Sequence, residues 1–474
     1  MAHKDFRSFL EYLEQEGQLL RIKEAVWPEP DIGAAASAAN KGIGETAPAL
    51  LFENIKGYHD AKLVTNVHGS WPNMALALGM PKDSSVKSMF LEFSRRYQNF
   101  DKGTIEEKDS APWQEVVIEG DKINLFELMP HFRLNEGDGG LYINKASVIS
   151  RHPDYPDSFE QQNVGMYRLQ VKGANRMSAQ LIPEHDIALH FQAAEKENKP
   201  LPIAITIGND PILPLVASMP ILYDQDEYLM ASALIEEPYP IITLDNGLQV
   251  PWGSEFVLEG HILPRVREPD GPYGEFTGHL SGIRNMNSIE ITKVSHRKDP
   301  VYEYCAIGMP WTEIDYMFLN TCPPLYVQLK EKFPEIEAVN ALYTHGLVVI
   351  VSTKVRVGGF AKAVGLSVLT TPHGMGYAKV VIIVDEFVDP FNLPQVMWAL
   401  STKFNPKYDN VVIPEYPILA LDPGSDPPRI SHKLIIDATT PAPPEKHGEY
   451  TMQVSNPPEA EDWLPKLQEL LKNR

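Results

Sequence analysis

Four short stretches concentrate the side chains able to move protons or hold ions. REPDGPYGEFTGH carries Glu268, Asp270 and Glu275 around a Gly-Pro-Tyr-Gly turn. A tight turn can bring two carboxylates close, and neighbouring carboxylates push one pKa upward so that one group keeps its proton near neutrality. A guanidinium beside them would hold the other ionised. QNVGMYRLQV offers such a group, Arg168, together with Asn163 on an otherwise apolar strand. The two are five positions apart, so an ideal strand separates them, and a bend or bulge is needed to bring both to one pocket. IPEHDI places His185 at a strand-to-helix transition, and DQDEYLMA supplies Asp224, Asp226 and Glu227 at the start of another helix. Asn, His and Glu together form a hard oxygen and nitrogen set suited to Mn²⁺ or Mg²⁺. Each stretch also has a plain structural reading: Asp-Gly-Pro is a common turn, a strand arginine is commonly an ion-paired surface group, and a histidine beside a helix start is commonly a hydrogen-bonding one.

Other chemistries fail on spacing. No phosphate loop and no nucleophile elbow is present. PHGMGYAK has Gly374 and Gly376 but lacks the third glycine of a dinucleotide fingerprint. His185 and His190 are five apart, which on a helix turns them well away from each other and prevents joint ligation of one metal. The net charge of −21 disfavours nucleic acid and anionic membranes as partners. The two cysteines, Cys305 and Cys322, form neither a metal pair nor a disulfide framework, which suits a reducing cytoplasm. The longest aliphatic runs fall far short of the ~20 residues of a membrane span.

The elements that must position these groups fall into regions. Residues 1–114 alternate amphipathic helices (Phe6 to Glu16, Val86 to Tyr97) with short strands such as Ala49 to Phe52, and read as a small α/β region. Residues 115–300 are β-rich between Gly, Pro and Asn turns, with one helix from Asp186 to Lys196, a pattern suggesting a β-barrel or strongly curved sheet. Residues 301–450 alternate strands with helices as an α/β layer domain. The last stretch, 451–474, repeats Leu464, Leu467, Leu470 and Leu471 at helical spacing, and such a terminal helix is expected to pack on its own domain more often than on another subunit.

Taken in order, NVGMYRLQV, IPEHDI, ASMPILYDQDEY, VPWGSEFVLEG, DGPYGEFTGH and VDEFVDPFNLPQVMWALSTK resemble the UbiD family of prenylated-FMN-dependent decarboxylases, over about residues 5–465. The resemblance is greatest to the large catalytic subunit of bacterial non-oxidative hydroxyaryl acid decarboxylases. It implies an α+β fold: a central split β-barrel flavin-binding domain flanked by an N-terminal α/β region and a C-terminal α/β domain used for oligomerisation, as a dimer or hexamer. It implies a metal site at Asn163, His185 and Glu227, with manganese or magnesium, and potassium nearby, bridging protein to the flavin phosphate. An acidic protein would thereby hold a phosphate through a cation and not through a basic patch. Further cofactor contacts are implied at Met166, Tyr167, Arg168, Gln180, Leu181, Ile182, Glu184, His185, Ser218, Met219 and Pro220. A carboxylate–arginine–carboxylate network is implied at Asp270, Arg168 and Glu275. Many relatives carry glutamate at the first acidic position, so the shorter Asp270 is expected to reach Arg168 over a longer or water-mediated contact.

Loss of CO₂ from an aromatic ring leaves in-plane electrons that the π system cannot take up, so an electron sink is needed that no side chain supplies. The resemblance assigns that task to the prenylated flavin, with Glu275 returning a proton to the ring, Arg168 setting its protonation and orienting the carboxylate, and Asp270 as second carboxylate. The implied reaction is reversible decarboxylation of 3,4-dihydroxybenzoate or 4-hydroxybenzoate, with a flavin prenyltransferase supplying the cofactor and a small accessory subunit as a further partner. His279, Tyr304, Glu313 and His373 are polar residues in segments that could border the substrate. Two other readings stay open from sequence: a metal-dependent hydrolase using Glu275 without flavin, and a cofactor-binding scaffold inactive alone.

Overall fold

A computed structural model describes residues 5–58, 61–156, 158–183, 185–223, 225–445, 454 and 457–472. The helix Phe6–Gln15 buries Phe6, Phe9, Leu10 and Leu13 on one face and is capped by Asp5, whose carboxylate accepts from Ser8 N at 2.9 Å. It covers a four-stranded sheet of Leu19–Ile22, Ala49–Phe52, Lys62–Thr65 and Val301–Tyr304. The last of these strands follows the barrel in sequence, so the chain returns to complete the first sheet before entering the C-terminal region.

Six antiparallel strands close on themselves in the order Phe256–Asp270, Leu201–Ile207, Leu141–Arg151, Gln162–Val171, Arg176–Ala179 and Arg284–His296, the last pairing back with the first. Closure removes the free edges that an open sheet would leave. Val116–Glu119 adds to the outside of Arg284–His296. The anticipated strand over 176–182 stops at Ala179, and Gln180, Leu181 and Ile182 leave it as coil leading to the helix Asp186–Lys196. The anticipated strand from Phe256 to Ile262 instead continues to Asp270, with register shifts after Glu259 and Ile262. Exposed Arg265, Val266 and Arg267 hide that continuation from any apolar pattern.

The C-terminal sheet is Ile336–Asn340, Val348–Thr353, Val380–Asp385, Ile430–Ala438 and Asn410–Pro417, flanked by helices including Cys322–Lys332 and Phe360–Leu369. The largest apolar cluster runs unbroken from Val164, Val216 and Met219 beside the barrel to Leu319, Val351 and Ile383 in this domain. Met166 and Phe276 pack against it, so the groups singled out above lie where barrel and C-terminal domain meet. The terminal helix Ala460–Lys472 departs from expectation: Leu464, Leu467, Leu470 and Leu471 are all exposed. Its apolar stripe covers nothing within the described residues. No helix among these residues is long and apolar enough to cross a membrane.

Candidate active site

Arg168 leaves the strand Gln162–Val171 between two carboxylates. Its Nη2 donates to Asp270 Oδ1 at 3.1 Å, and its Nη1 donates to Glu275 Oε1 and to Ser281 Oγ, the latter at 3.1 Å. Asp270 is therefore in direct contact with Arg168; the shorter side chain needs no water because Ser178 Oγ donates to Asp270 Oδ2 at 2.6 Å and fixes the carboxylate from behind. The turn that returns the chain from Asp270 to Glu275 requires glycine at 271, where φ is +98° and a Cβ would lie 2.6 Å from the Gly282 carbonyl. The guanidinium also lies over Tyr273, at 5.1 Å from the ring centroid.

Asp270 is fully buried and Glu275 almost so, at 0% and 8% exposure. Burial pushes Glu275 up to about 7, the negative charges of Asp270 and Asp138 add to the rise, and Arg168 and Arg284 oppose it. Asp138 holds the same turn by accepting from Gly274 N at 2.7 Å. Near neutrality Glu275 is thus poised to give up a proton, the condition for a general acid. Ser178, Ser281, Tyr273 and Asp138 were not read from sequence, since serine, tyrosine and a lone aspartate carry no spacing signal.

The strand bearing Asn163 and Arg168 does not bulge. The extra residue lies in its neighbour, where Ile143 pairs with Leu169 and Ala146 with Tyr167, so Asn144 and Lys145 together oppose Arg168. Asn163 and Tyr167 share one face and the Tyr167 phenol lies against the Asn163 side chain. The His185 ring lies 5.9 Å from that of Tyr167. Glu227, at the first turn of the helix Glu227–Ile235, accepts from Val164 N at 3.1 Å and adjoins the same strand. Asp226 caps that helix by accepting from Tyr228 N and Leu229 N. Asp226 Oδ2 is buried without a hydrogen-bond partner among the described residues. The Glu227 carboxylate is buried with Asp226 and Asp186 near it, and no lysine or arginine is paired with it among the described residues. A buried carboxylate so placed calls for a cation, and the oxygen and nitrogen donors present fit a hard divalent ion.

Around this region Met166 is half-buried, Gln180, Leu181 and Ile182 lead into the His185 turn, where His185 N donates to Ile182 O at 2.9 Å, and Met219 is buried beside half-exposed Ser218 and Pro220. Glu184 lies outside the described residues.

The four polar residues considered as substrate contacts do not join the Arg168 network. His279 is exposed, with Nδ1 on Thr277 O at 2.8 Å. Tyr304 packs 4.5 Å from the Phe132 ring within the barrel-side core. His373 faces the His345 carbonyl through Nε2 at 2.9 Å and stacks on Tyr377. Glu313 does not border a substrate: its oxygens are taken by Asn66 N, His68 N, Ala306 N and Lys145 Nζ, leaving no place for one. Glu313, Glu303 and His68 have ligand atoms within 4.8 Å of one another, as a metal site would. The Lys145 ammonium already sits among them, at 2.6 Å, 2.7 Å and 2.8 Å respectively. Pro211 O can only accept, so His68 donates to it through Nε2 and presents the Nδ1 lone pair to the ammonium.

Comparison with known proteins shows the family. Family models for 3-octaprenyl-4-hydroxybenzoate carboxy-lyase match the chain at residues 10–91 (N-terminal domain), 104–310 (Rift-related domain) and 317–438 (C-terminal domain). The chain belongs to the UbiD family of carboxy-lyases. This UbiD-family chain is 56% identical to a phenolic acid decarboxylase of Bacillus subtilis (strain 168), over 99% of its own length and 100% of the relative's. It is 53% identical to the vanillic acid decarboxylase of Sedimentibacter hydroxybenzoicus in closed form, with TM-score 0.92 and full coverage of both chains. It is 28% identical to the UbiD-class enzyme HmfF from Pelotomaculum thermopropionicum in complex with FMN, with TM-score 0.82 over 98% of this chain and 99% of the other. An evolved form of HmfF, in complex with prenylated FMN, is 26% identical with TM-score 0.79 over 97% and 98%.

Proposed function

We propose that the protein is a non-oxidative, reversible hydroxyaryl acid decarboxylase that uses prenylated FMN, with Glu275 as proton donor. The observation that carries this reading is the buried Asp270–Arg168–Glu275 array with Glu275 pushed up to about 7. When bound, the flavin would supply the sink for the electron pair that CO₂ leaves on the ring. Arg168 holds the acid's carboxylate by its charge and keeps Glu275 oriented; the protonated Glu275 carboxyl then delivers its proton to the ring carbon that CO₂ has left. Burial excludes competing water from that transfer.

Asn163, His185 and Glu227 are the proposed ligands of Mn²⁺ or Mg²⁺, with K⁺ beside it, for a flavin phosphate. Met166, Tyr167, Gln180 to Ile182, Glu184 and Ser218 to Pro220 are the proposed cofactor contacts. The hydroxybenzoates 3,4-dihydroxybenzoate and 4-hydroxybenzoate are the proposed substrates; the names of the phenolic and vanillic acid decarboxylases support that class. The hydrolase reading finds no support among these relatives. A flavin prenyltransferase would supply the cofactor in the cytoplasm. A small accessory subunit is supported by the open form of the Sedimentibacter enzyme with truncated ShVdcD. The exposed leucines of the terminal helix support assembly as a homo-oligomer.

The test is CO₂ release from 4-hydroxybenzoate, 3,4-dihydroxybenzoate and vanillate by protein reconstituted with prenylated FMN and Mn²⁺, with the bound cofactor followed by its visible absorption. Release from at least one of them is expected. A flavin-loaded protein that releases none, with or without the accessory subunit, overturns the reading.

A further inference from the structure

A histidine that no motif marked, His345, packs against Phe276 and Phe318. Thr344, His345 and Gly346 follow one another at φ +51°, +55° and +83°. Two successive non-glycine residues in the left-handed region are uncommon, and such backbone persists where surroundings enforce it, often at ligand sites. The His345 ring lies 6.0 Å from Phe276, the neighbour of Glu275, 4.5 Å from Phe318 and 4.8 Å from Tyr377.

A chain of hydrogen bonds settles which ring nitrogen carries the proton. Asn320 Nδ2 donates to Leu215 O at 2.7 Å and to Ser218 Oγ at 2.9 Å, which fixes the amide with Oδ1 as acceptor. Asn320 is fully buried, and Thr321 Oγ donates its single hydrogen to that Oδ1 at 3.2 Å. Thr321 Oγ, 3.2 Å from His345 Nδ1, is then left only as an acceptor, so Nδ1 bears the hydrogen. Nε2 carries a lone pair, and no described residue donates to it. The half-buried ring thus presents one acceptor beside Phe276, tied through Asn320 to Ser218, the proposed cofactor edge.

We propose that His345 is the specificity-determining residue for the substrate's ring hydroxyl, with Nε2 accepting a hydrogen bond from the phenolic O–H. This rests on the decarboxylase reading and adds the group that distinguishes a phenolic acid from one with no hydroxyl to donate. A methoxy group at the same ring position cannot make the bond.

The test compares 4-hydroxybenzoate with 4-methoxybenzoate on the flavin-loaded protein, by dissociation constant and by kcat/KM. His345→Asn tolerates the left-handed backbone and can keep the Thr321 contact while deleting the Nε2 end. It should reduce the preference for the hydroxy acid about tenfold, the worth of one hydrogen bond, and His345→Gln, which restores an acceptor at that reach, should recover part of it. Thr321→Val, which frees the tautomer, should give a smaller loss in the same ratio. Equal losses for both acids in His345→Asn would overturn the assignment, as would ¹⁵N shifts showing the wild-type His345 proton on Nε2. A wild-type protein that turns over neither acid nor any other hydroxybenzoate speaks against the decarboxylase reading instead.

Discussion

Replacing Asp270 by Asn removes one buried negative charge while leaving its shape. The amide oxygen can still accept from Arg168, and Ser178 Oγ, now 2.6 Å from a site that can hold the amide nitrogen, can turn to accept. What changes is the field at Glu275, whose proton Asp270 helps retain. Across one guanidinium, a separation of about 6 Å at an effective dielectric near 20 corresponds to about 2–3 kcal/mol, or about two pH units. The half-titration of Glu275, about 7 in the wild type, should therefore fall towards 5 in Asp270→Asn. At pH 7 the protonated fraction would drop from about half to about one in a hundred, and kcat/KM by about fiftyfold, with recovery as pH is lowered. The assay is the pH profile of CO₂ release by flavin-loaded protein, whose wild-type rate should decline as pH rises through about 7. A uniform loss with the profile unmoved would refute the electrostatic role and leave Asp270 as a mere prop.

Three further perturbations follow from the same geometry. The folded protein keeps the Glu275 proton to about pH 7 and the unfolded chain releases it near 4.5, so this group's contribution to stability falls as pH rises across that window. Urea unfolding at pH 5 and pH 8 should show a slope from it of up to about 3 kcal/mol that Glu275→Gln abolishes; an unchanged slope would contradict the raised pKa. Lys145→Met leaves Glu303 and Glu313 buried without their cation, a loss of about 3–5 kcal/mol in thermal or denaturant unfolding, and a neutral result would show that the ammonium is dispensable. Asn163→Ala and Glu227→Ala should each purify without visible flavin absorbance and with reduced bound Mn²⁺; full flavin occupancy would reject the ligand set.

The sequence was most legible where one element carries its own signal. The helix Asp186–Lys196 and the helix start at Asp226 and Glu227 follow from local pattern, and the apolar face of Phe6–Gln15 follows from its spacing. The pairing of Asp270 with Glu275 was legible because a Gly-Pro turn joins them. Other features depend on contacts between distant segments. The return of Val301–Tyr304 to the first sheet, the Ser178 bond to Asp270 and the Lys145 cluster join residues separated by 77 to 239 positions. Glu313 belongs with these: as a polar residue in its own segment it looks available, and four donors from other segments converge on it. His345 was invisible because its meaning lies in a backbone conformation and a hydrogen-bond relay that reaches back to Ser218.

Glu275→Gln in flavin-loaded protein tests the central claim most directly, because it removes the transferable proton and keeps the size of the side chain. The account predicts an undiminished flavin spectrum with CO₂ release from 4-hydroxybenzoate and 3,4-dihydroxybenzoate lowered by about 10²–10⁴-fold. Turnover at the wild-type rate with the cofactor in place would contradict it.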